Sequence, residues 1–204
     1  MARRHREDRR GTPADLMVVG FGNPGDEYAA TRHNIGIRVV DELVERHGGR
    51  LRRARREQAL TDELHVGGRR LAVVVPVTFY NEIGRAVAPL VRRFGIDDMS
   101  RLVVVHDELD RPVGRFKVKQ GGGLAGNNGL KSVTNHLRSA EFVRIRIGID
   151  KPAPDTMRGR DYVLRRPTRA ERPELERVVG EAADAVEYLL GSDVESTMNR
   201  FNGA

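Results

Sequence analysis

Apolar residues along this chain fall into two rhythms that alternate. Leu16-Met17-Val18-Val19 is an unbroken apolar run closed by glycine and proline, the pattern of a strand buried on both faces. From Ile35 the rhythm lengthens: Val39, Val40, Leu43 and Val44 recur at helical spacing until Gly48-Gly49 ends the helix. Leu60 to Val66 and Arg69 to Val75 flank Gly67-Gly68, a hairpin signal. A second helix follows Asn81, with Ile83, Val87, Leu90, Val91 and Phe94 on its inner face and Gly95 as its stop. Leu102 to Val105 predict another buried strand, running into His106-Asp107. Arg115 to Lys119 and Arg144 to Ile149 alternate polar and apolar, so each predicts a strand with one wet face. A final helix, Pro173 to Leu190, carries Leu175, Val178, Val179, Ala182, Val186 and Leu189. Strands alternating with helices predict a single-domain α/β sandwich, a twisted mixed β-sheet flanked by helices. No internal repeat or domain linker interrupts residues 14–204.

Ahead of that domain, Met1 to Pro13 carries Arg3, Arg4, Arg6, Arg9 and Arg10 against Glu7 and Asp8 with hardly any apolar residue. This predicts a disordered basic extension. The whole chain has 204 residues, enough for one well-buried core, and its 39% hydrophobic content is clustered rather than diluted. Lys+Arg 36 against Asp+Glu 29 gives a formal charge of +7, and the pI of about 10.3 suits a polyanionic partner. Cysteine is absent, which excludes disulfides, thiolate catalysis and thiolate metal sites. No apolar run approaches the roughly 20 residues a membrane span needs, and the N-terminus lacks the apolar region of a signal peptide. A cytoplasmic protein without membrane attachment is expected.

One glycine pattern invites a wrong reading. Gly20-x-Gly22-x-x-Gly25 follows a strand, and Asp41 lies about 20 residues on, as a dinucleotide-binding fingerprint asks. That acid, however, falls within a helical apolar pattern rather than at the end of a second strand. Pro24 and the polar stretch to His33 also delay the helix well beyond the glycines. The simpler reading is a sharp turn that brings the Asn23 side chain into a cleft.

Binding sites in open α/β sheets gather at the carboxyl ends of strands. Asn23 and Asp107 each follow an apolar strand, Asn81 stands at a helix start after another, and His33 sits at the start of the first helix. These four come from distant positions and are expected to converge on one sheet edge. They supply one titratable imidazole, one carboxylate to orient it, and carboxamides that bind without titrating. That inventory suits activation of water against a carbonyl carbon. Alone, each has a plain structural reading: Asn81 as a helix cap, Asp107 as a turn former, His33 as a surface imidazole.

The stretches "GNPGDEYAATRHNIG", "PVTFYNEIGRAV", "VVHDELDRPVGRFKVKQGGG", "NNGLKSV" and "RIRIGI", in that order and spacing, resemble bacterial peptidyl-tRNA hydrolase from Leu16 to Leu190. The resemblance implies cleavage of the ester between a peptide and the 3′ ribose of tRNA by a monomer that needs no metal or other cofactor. It implies His33 as general base for water, Asp107 as the carboxylate that holds it, and Asn23 beside the scissile ester. It implies peptide binding by Asn81 and Asn128, with Tyr28 and Tyr80 counted in the same set, and phosphate contacts by Lys117, Lys119 and Arg146. Carboxamides pair with main-chain N–H and C=O groups, which explains indifference to peptide sequence. Phosphate contacts carry no base-specific reading, as an enzyme serving many tRNAs needs. Arg50, Arg52, Arg53, Arg55 and Arg56 form a denser run outside these motifs, a candidate auxiliary patch. Residues 121–126 read as a flexible loop able to close over the cleft.

Two positions depart from the family pattern. Asn127 stands where "GHNG" has its histidine, and Tyr80 stands where "TFMN" has methionine. The first removes a titratable group beside Asn128, so slower or altered turnover is expected. The second puts a polar-tipped ring where a thioether would line the pocket, narrowing it for the last side chain of the peptide. These changes keep open a paralogue that binds structured RNA or peptidyl-tRNA with little hydrolysis, although it would have no need of the His–Asp pair. A metal-dependent hydrolase fits poorly, since the six histidines show no paired ligand spacing.

Overall fold

The computed structural model of the protein describes residues 13–203. The basic extension expected at Met1–Pro13 lies outside them but for Pro13. Seven strands form one sheet among the described residues: β1 (Leu16–Gly20), β2 (Arg52–Ala54), β3 (Ala59–Val66), β4 (Arg69–Pro76), β5 (Leu102–Glu108), β6 (Phe116–Gln120) and β7 (Val143–Gly148). Their order is β2-β3-β4-β1-β5-β7-β6. The central strands β4, β1, β5 and β7 run parallel, and β3, β2 and β6 pair antiparallel at the edges. The helices are α1 (Asp26–Ala29), α2 (Ile35–Arg46), α3 (Ile83–Arg93), α4 (Asn128–Leu137), α5 (Gly159–Val163), α6 (Glu171–Gly191) and α7 (Val194–Phe201). A mixed sheet between helical layers is the α/β sandwich expected.

Side-chain alternation along the strands divides the core in two. Leu16, Val18, Val103 and Val105 face α2 and α6, meeting Val39, Leu43, Leu175 and Val186. Met17, Val19, Leu102 and Val104 face the other way, onto Ile83, Val87 and Leu90 of α3 and Leu130 and Val133 of α4. Burying each of these aliphatic side chains contributes about 1.5–3 kcal/mol. Pro89 lies inside α3, where it removes one backbone hydrogen bond that the surrounding packing offsets.

Three expectations are corrected. β7 is wet at only one of its two polar positions: Arg146 lines an open cleft, but Arg144 is only 2% exposed, turned beneath a neighbouring loop. The helix ending near Leu190 is not the last, since α7 follows with Met198 and Phe201 packed on the core. α4 was not foreseen at all. It starts inside a Gly/Asn-rich stretch that reads as loop, and its apolar stripe is only Leu130, Val133 and Leu137.

Gly36, in the first turn of α2, lets that helix touch the sheet backbone. A Cβ there would lie 2.2 Å from the Val105 carbonyl oxygen and 2.7 Å from the Phe21 nitrogen, neither of which a rotamer change can move. Gly36→Ala is therefore expected to cost about 1–3 kcal/mol of stability. Gly180→Ala in α6 meets nothing closer than 3.5 Å and should gain about 0.5–1 kcal/mol from helix propensity. Urea midpoints of the two variants check both signs.

Candidate active site

Chain connections from β1 and β5 diverge: β1 leads through α2 toward the β4 side of the sheet, and β5 leads toward β7 and β6. Such a divergence opens a crevice at the carboxyl ends of the two strands. Here it is widened by unequal strand lengths. β1 pairs with β5 only as far as Gly20 opposite Val105, while β5 continues beside β7 to Glu108. The chain leaves β1 through Phe21, whose N–H donates to the Val105 carbonyl at 2.9 Å, and turns at Gly25, where φ is 110°. That backbone angle suits only glycine. A cleft of about 580 Å³ results, with Asn23, His33, Tyr80, Asp107, Asn127 and Asn128 in its wall.

His33 lies in the 3-10 turn Arg32–Asn34 that leads into α2. Its Nδ1 is 3.0 and 2.9 Å from the two carboxylate oxygens of Asp107, which is only 6% exposed. A carboxylate only accepts, so Nδ1 carries the hydrogen and Nε2 is left as the basic nitrogen. The Tyr80 ring stacks on the imidazole, centroids 3.8 Å apart and planes 21° from parallel. Its hydroxyl donates to Asp107 Oδ1 at 3.2 Å and accepts from Asn127 Nδ2 at 2.9 Å. Burial, and next the Asp107 charge, push that hydroxyl's pKa well above its ordinary value, so it stays a donor.

Asn23 is oriented from two sides. The Asn34 side chain accepts from its N–H and donates to its carbonyl, both at 2.9 Å. The Tyr80 N–H donates to Asn23 Oδ1 at 2.9 Å, which fixes the carboxamide so that its Nδ2 donor faces away from that bond.

Three residues that build the site carry no plain signal in the sequence. Asn34 is a buried polar residue whose partner is main chain eleven positions back. Arg32, 4% exposed, donates to the carbonyls of Arg165 and Arg166, pairs with Glu171 at 2.5 Å and lies over the Tyr162 ring, so residues 162–171 are tied to the His33 turn. Arg144 donates to the carbonyls of Gly122, Gly123 and Ala140, anchoring the glycine-rich loop from below. Adjacent polar residues at a helix start were visible, but not the carbonyls they reach.

Among the residues expected at the site, Asn23, His33, Tyr80, Asp107, Asn128 and Arg146 line the cleft, and Tyr28 and Asn81 do not. Asn81 is exposed in the turn Tyr80–Glu82, and the cap position of α3 falls to Glu82. Tyr28 is half-buried in α1. Tyr80 turns its polar tip to Asp107. Lys117 and Lys119 lie on β6 opposite Arg146 and Arg144 of β7, so the four share one face. Arg146 is paired with Glu108 at 2.6 Å. Arg52 and Arg53 are on β2, at the far edge of the sheet from these lysines. Asp41 lies in α2, whose first residue comes ten positions after Gly25, and only the four-residue α1 follows the glycines directly.

These features define a class: an α/β sandwich whose switch-point cleft holds an imidazole on a buried carboxylate, ringed by carboxamides. Among the described residues, no three His, Cys, Asp or Glu side chains are grouped to hold a metal. The family model for peptidyl-tRNA hydrolase matches residues 17–204, so the chain belongs to that family and is an enzyme of the hydrolase class. The match continues through α7, beyond the Leu16 to Leu190 span of the resemblance. The chain is similar to the peptidyl-tRNA hydrolase of Rubrobacter xylanophilus, 48% identical over 184 residues that cover 90% of this chain and 98% of the relative. To that of Frankia alni it is 44% identical over 186 residues, covering 91% and 93%. The crystal structure of the Acinetobacter baumannii peptidyl-tRNA hydrolase superposes with a TM-score of 0.86 at 30% identity, over 94% of this chain and 97% of that one.

His106 stands beside Asp107 but plays another part. It is 1% exposed, its Nδ1 donates to the Asp107 carbonyl at 2.7 Å, and burial holds its pKa below the usual 6.5. The unfolded imidazole takes up a proton through 6.5 while the folded one stays neutral. Stability should therefore fall as pH drops below about 6.5, with a slope of up to about 1.4 kcal/mol per pH unit from this one group. Urea melts between pH 5 and 7.5 should show that slope, reduced in His106→Asn.

Proposed function

We propose that the His33–Asp107 pair hydrolyses the ester between the peptide and the 3′ ribose of peptidyl-tRNA, returning free tRNA and peptide. The observation that carries this reading is the hold of both Asp107 oxygens on His33 Nδ1 in a cleft shared with Asn23. Water gives a proton to His33 Nε2 as its oxygen attacks the ester carbonyl carbon. Asp107 keeps the imidazole in the required tautomer and stabilises the imidazolium. The Asn23 Nδ2 donor, turned out by the Tyr80 N–H, serves the oxyanion. The tetrahedral intermediate collapses by expelling the ribose 3′ oxygen, which takes the proton back from the imidazolium.

Peptide contacts are assigned to Asn128 at the head of α4, and, outside the cleft wall itself, to the exposed Asn81 and to Tyr28. Such groups bind main chain and so accept any sequence. On the tRNA side, Lys117 and Lys119 serve phosphates, while Arg146 does so with its charge partly offset by Glu108. The active form is read as a monomer. No helix among the described residues is long and apolar enough to cross a membrane, and the proposed reaction belongs to the cytoplasm, where peptidyl-tRNA is made.

Hydrolysis of an N-blocked aminoacyl-tRNA tests the mechanism. The native chain should release tRNA, and His33→Ala should be slower by about 10²–10⁴-fold. If both proteins bind tRNA in a salt-dependent way and neither releases it, an RNA-binding paralogue replaces the enzyme. Lys117→Ala and Lys119→Ala should weaken binding to different tRNAs alike, each reducing the slope of log affinity against log salt by about 1. Titrations between 50 and 300 mM salt, roughly the range in which phosphate contacts dominate, read that slope.

A further inference from the structure

The two positions that depart from the family pattern touch each other. Asn127 caps α4, its Oδ1 accepting from the Leu130 N–H at 3.0 Å, and so its Nδ2 must face the Tyr80 hydroxyl, 2.9 Å away. With a lone pair thus engaged by Asn127, the hydroxyl has its single hydrogen for Asp107 Oδ1. The cap of one helix thereby sets the direction of a hydrogen bond inside the cleft.

We infer that Tyr80 is a positioning residue of the His–Asp pair and that Asn127 acts through it, the two forming one device. The inference rests on the reading of His33 as base and Asp107 as its partner. A carboxylate torsion is soft, and one donor leaves the group free to swing about it. Tyr80 supplies a second donor, so Asp107 is held by the imidazole and the phenol together. The same ring stacks flat on His33 and limits its tilt. Tyr80 is 7% exposed and meets Phe21 edge-on at 5.5 Å, so its own placement is fixed by packing. A methionine at this position would fill space but donate nothing to Asp107. An Asn127 facing it would lose the acceptor of its N–H.

Positioning acts on the chemical step more than on binding, which gives the test its form. In the tRNA-release assay, Tyr80→Phe keeps the ring stack and removes the hydroxyl. It is expected to lower kcat about tenfold with KM unchanged. Asn127→Ser keeps a capping oxygen and removes the Nδ2 donor, and should lower kcat by a smaller factor at unchanged KM. The double variant should be no slower than Tyr80→Phe alone, because Asn127 works only through the hydroxyl. A Tyr80→Phe enzyme that raises KM and keeps kcat would overturn the inference, making Tyr80 a peptide contact. Multiplying losses in the double variant would overturn the coupling. Should Tyr80→Phe fail to fold in a thermal melt, Asn127→Ser decides alone, with unchanged kcat counting against. His33→Ala in the same assay separates the two levels. If it stays active, the His–Asp reading itself falls; if it is inactive while Tyr80→Phe is unimpaired, only the positioning role falls.

Discussion

The difference in paired length between the two central strands governs this end of the molecule. β1 stops at Gly20, opposite Val105, and β5 keeps its ladder with β7 for three more residues. A strand whose neighbour has ended inside a fold has a side to cover, because buried backbone and side-chain polar groups need partners. The chain between Phe21 and Asn34 covers it, and that chain carries Asn23 and His33. Asp107 sits within the overhanging stretch. Site and fold are thus one problem: the groups that meet in the cleft are those that close the gap between unequal strands.

Closure comes from both faces of the sheet. His33 precedes α2, which packs on one side, and Tyr80 precedes α3, which packs on the other. Each reaches over the strand ends, and Asp107 accepts from both. A carboxylate with few exposed atoms is costly to bury without such donors. Two helical layers are joined across the sheet at the carboxyl group that the cleft requires.

Much of this was legible in advance. The apolar runs of β1 and β5, the hairpin at Gly67-Gly68 and the helical rhythms of α2, α3 and α6 are properties of short windows, and such windows report local burial directly. The convergence of Asn23, His33 and Asp107 followed from their places at element ends. What stayed hidden depends on distant partners. Arg144 alternates with apolar neighbours as a wet-face residue does, yet three carbonyls from two segments draw it inside. Arg32 reads as a surface cation until residues 165–171 are seen beside it. α4 was masked because its cap and first turn are written in loop-forming residues. Tyr80 and Asn127 were both noticed as departures, but nothing in a linear chain says that residues 47 positions apart share a hydrogen bond.

Asn34 grips the main chain of Asn23 with both ends of its carboxamide and is bonded directly to His33. The turn that carries the imidazole and the main chain that carries Asn23 are therefore tied together, while the Asn23 side chain is held separately by the Tyr80 N–H. A substitution that rocks this turn shifts the imidazole against Asp107 and disturbs the Asn23 carboxamide with it. One loose turn thus costs the cleft two of its groups at once.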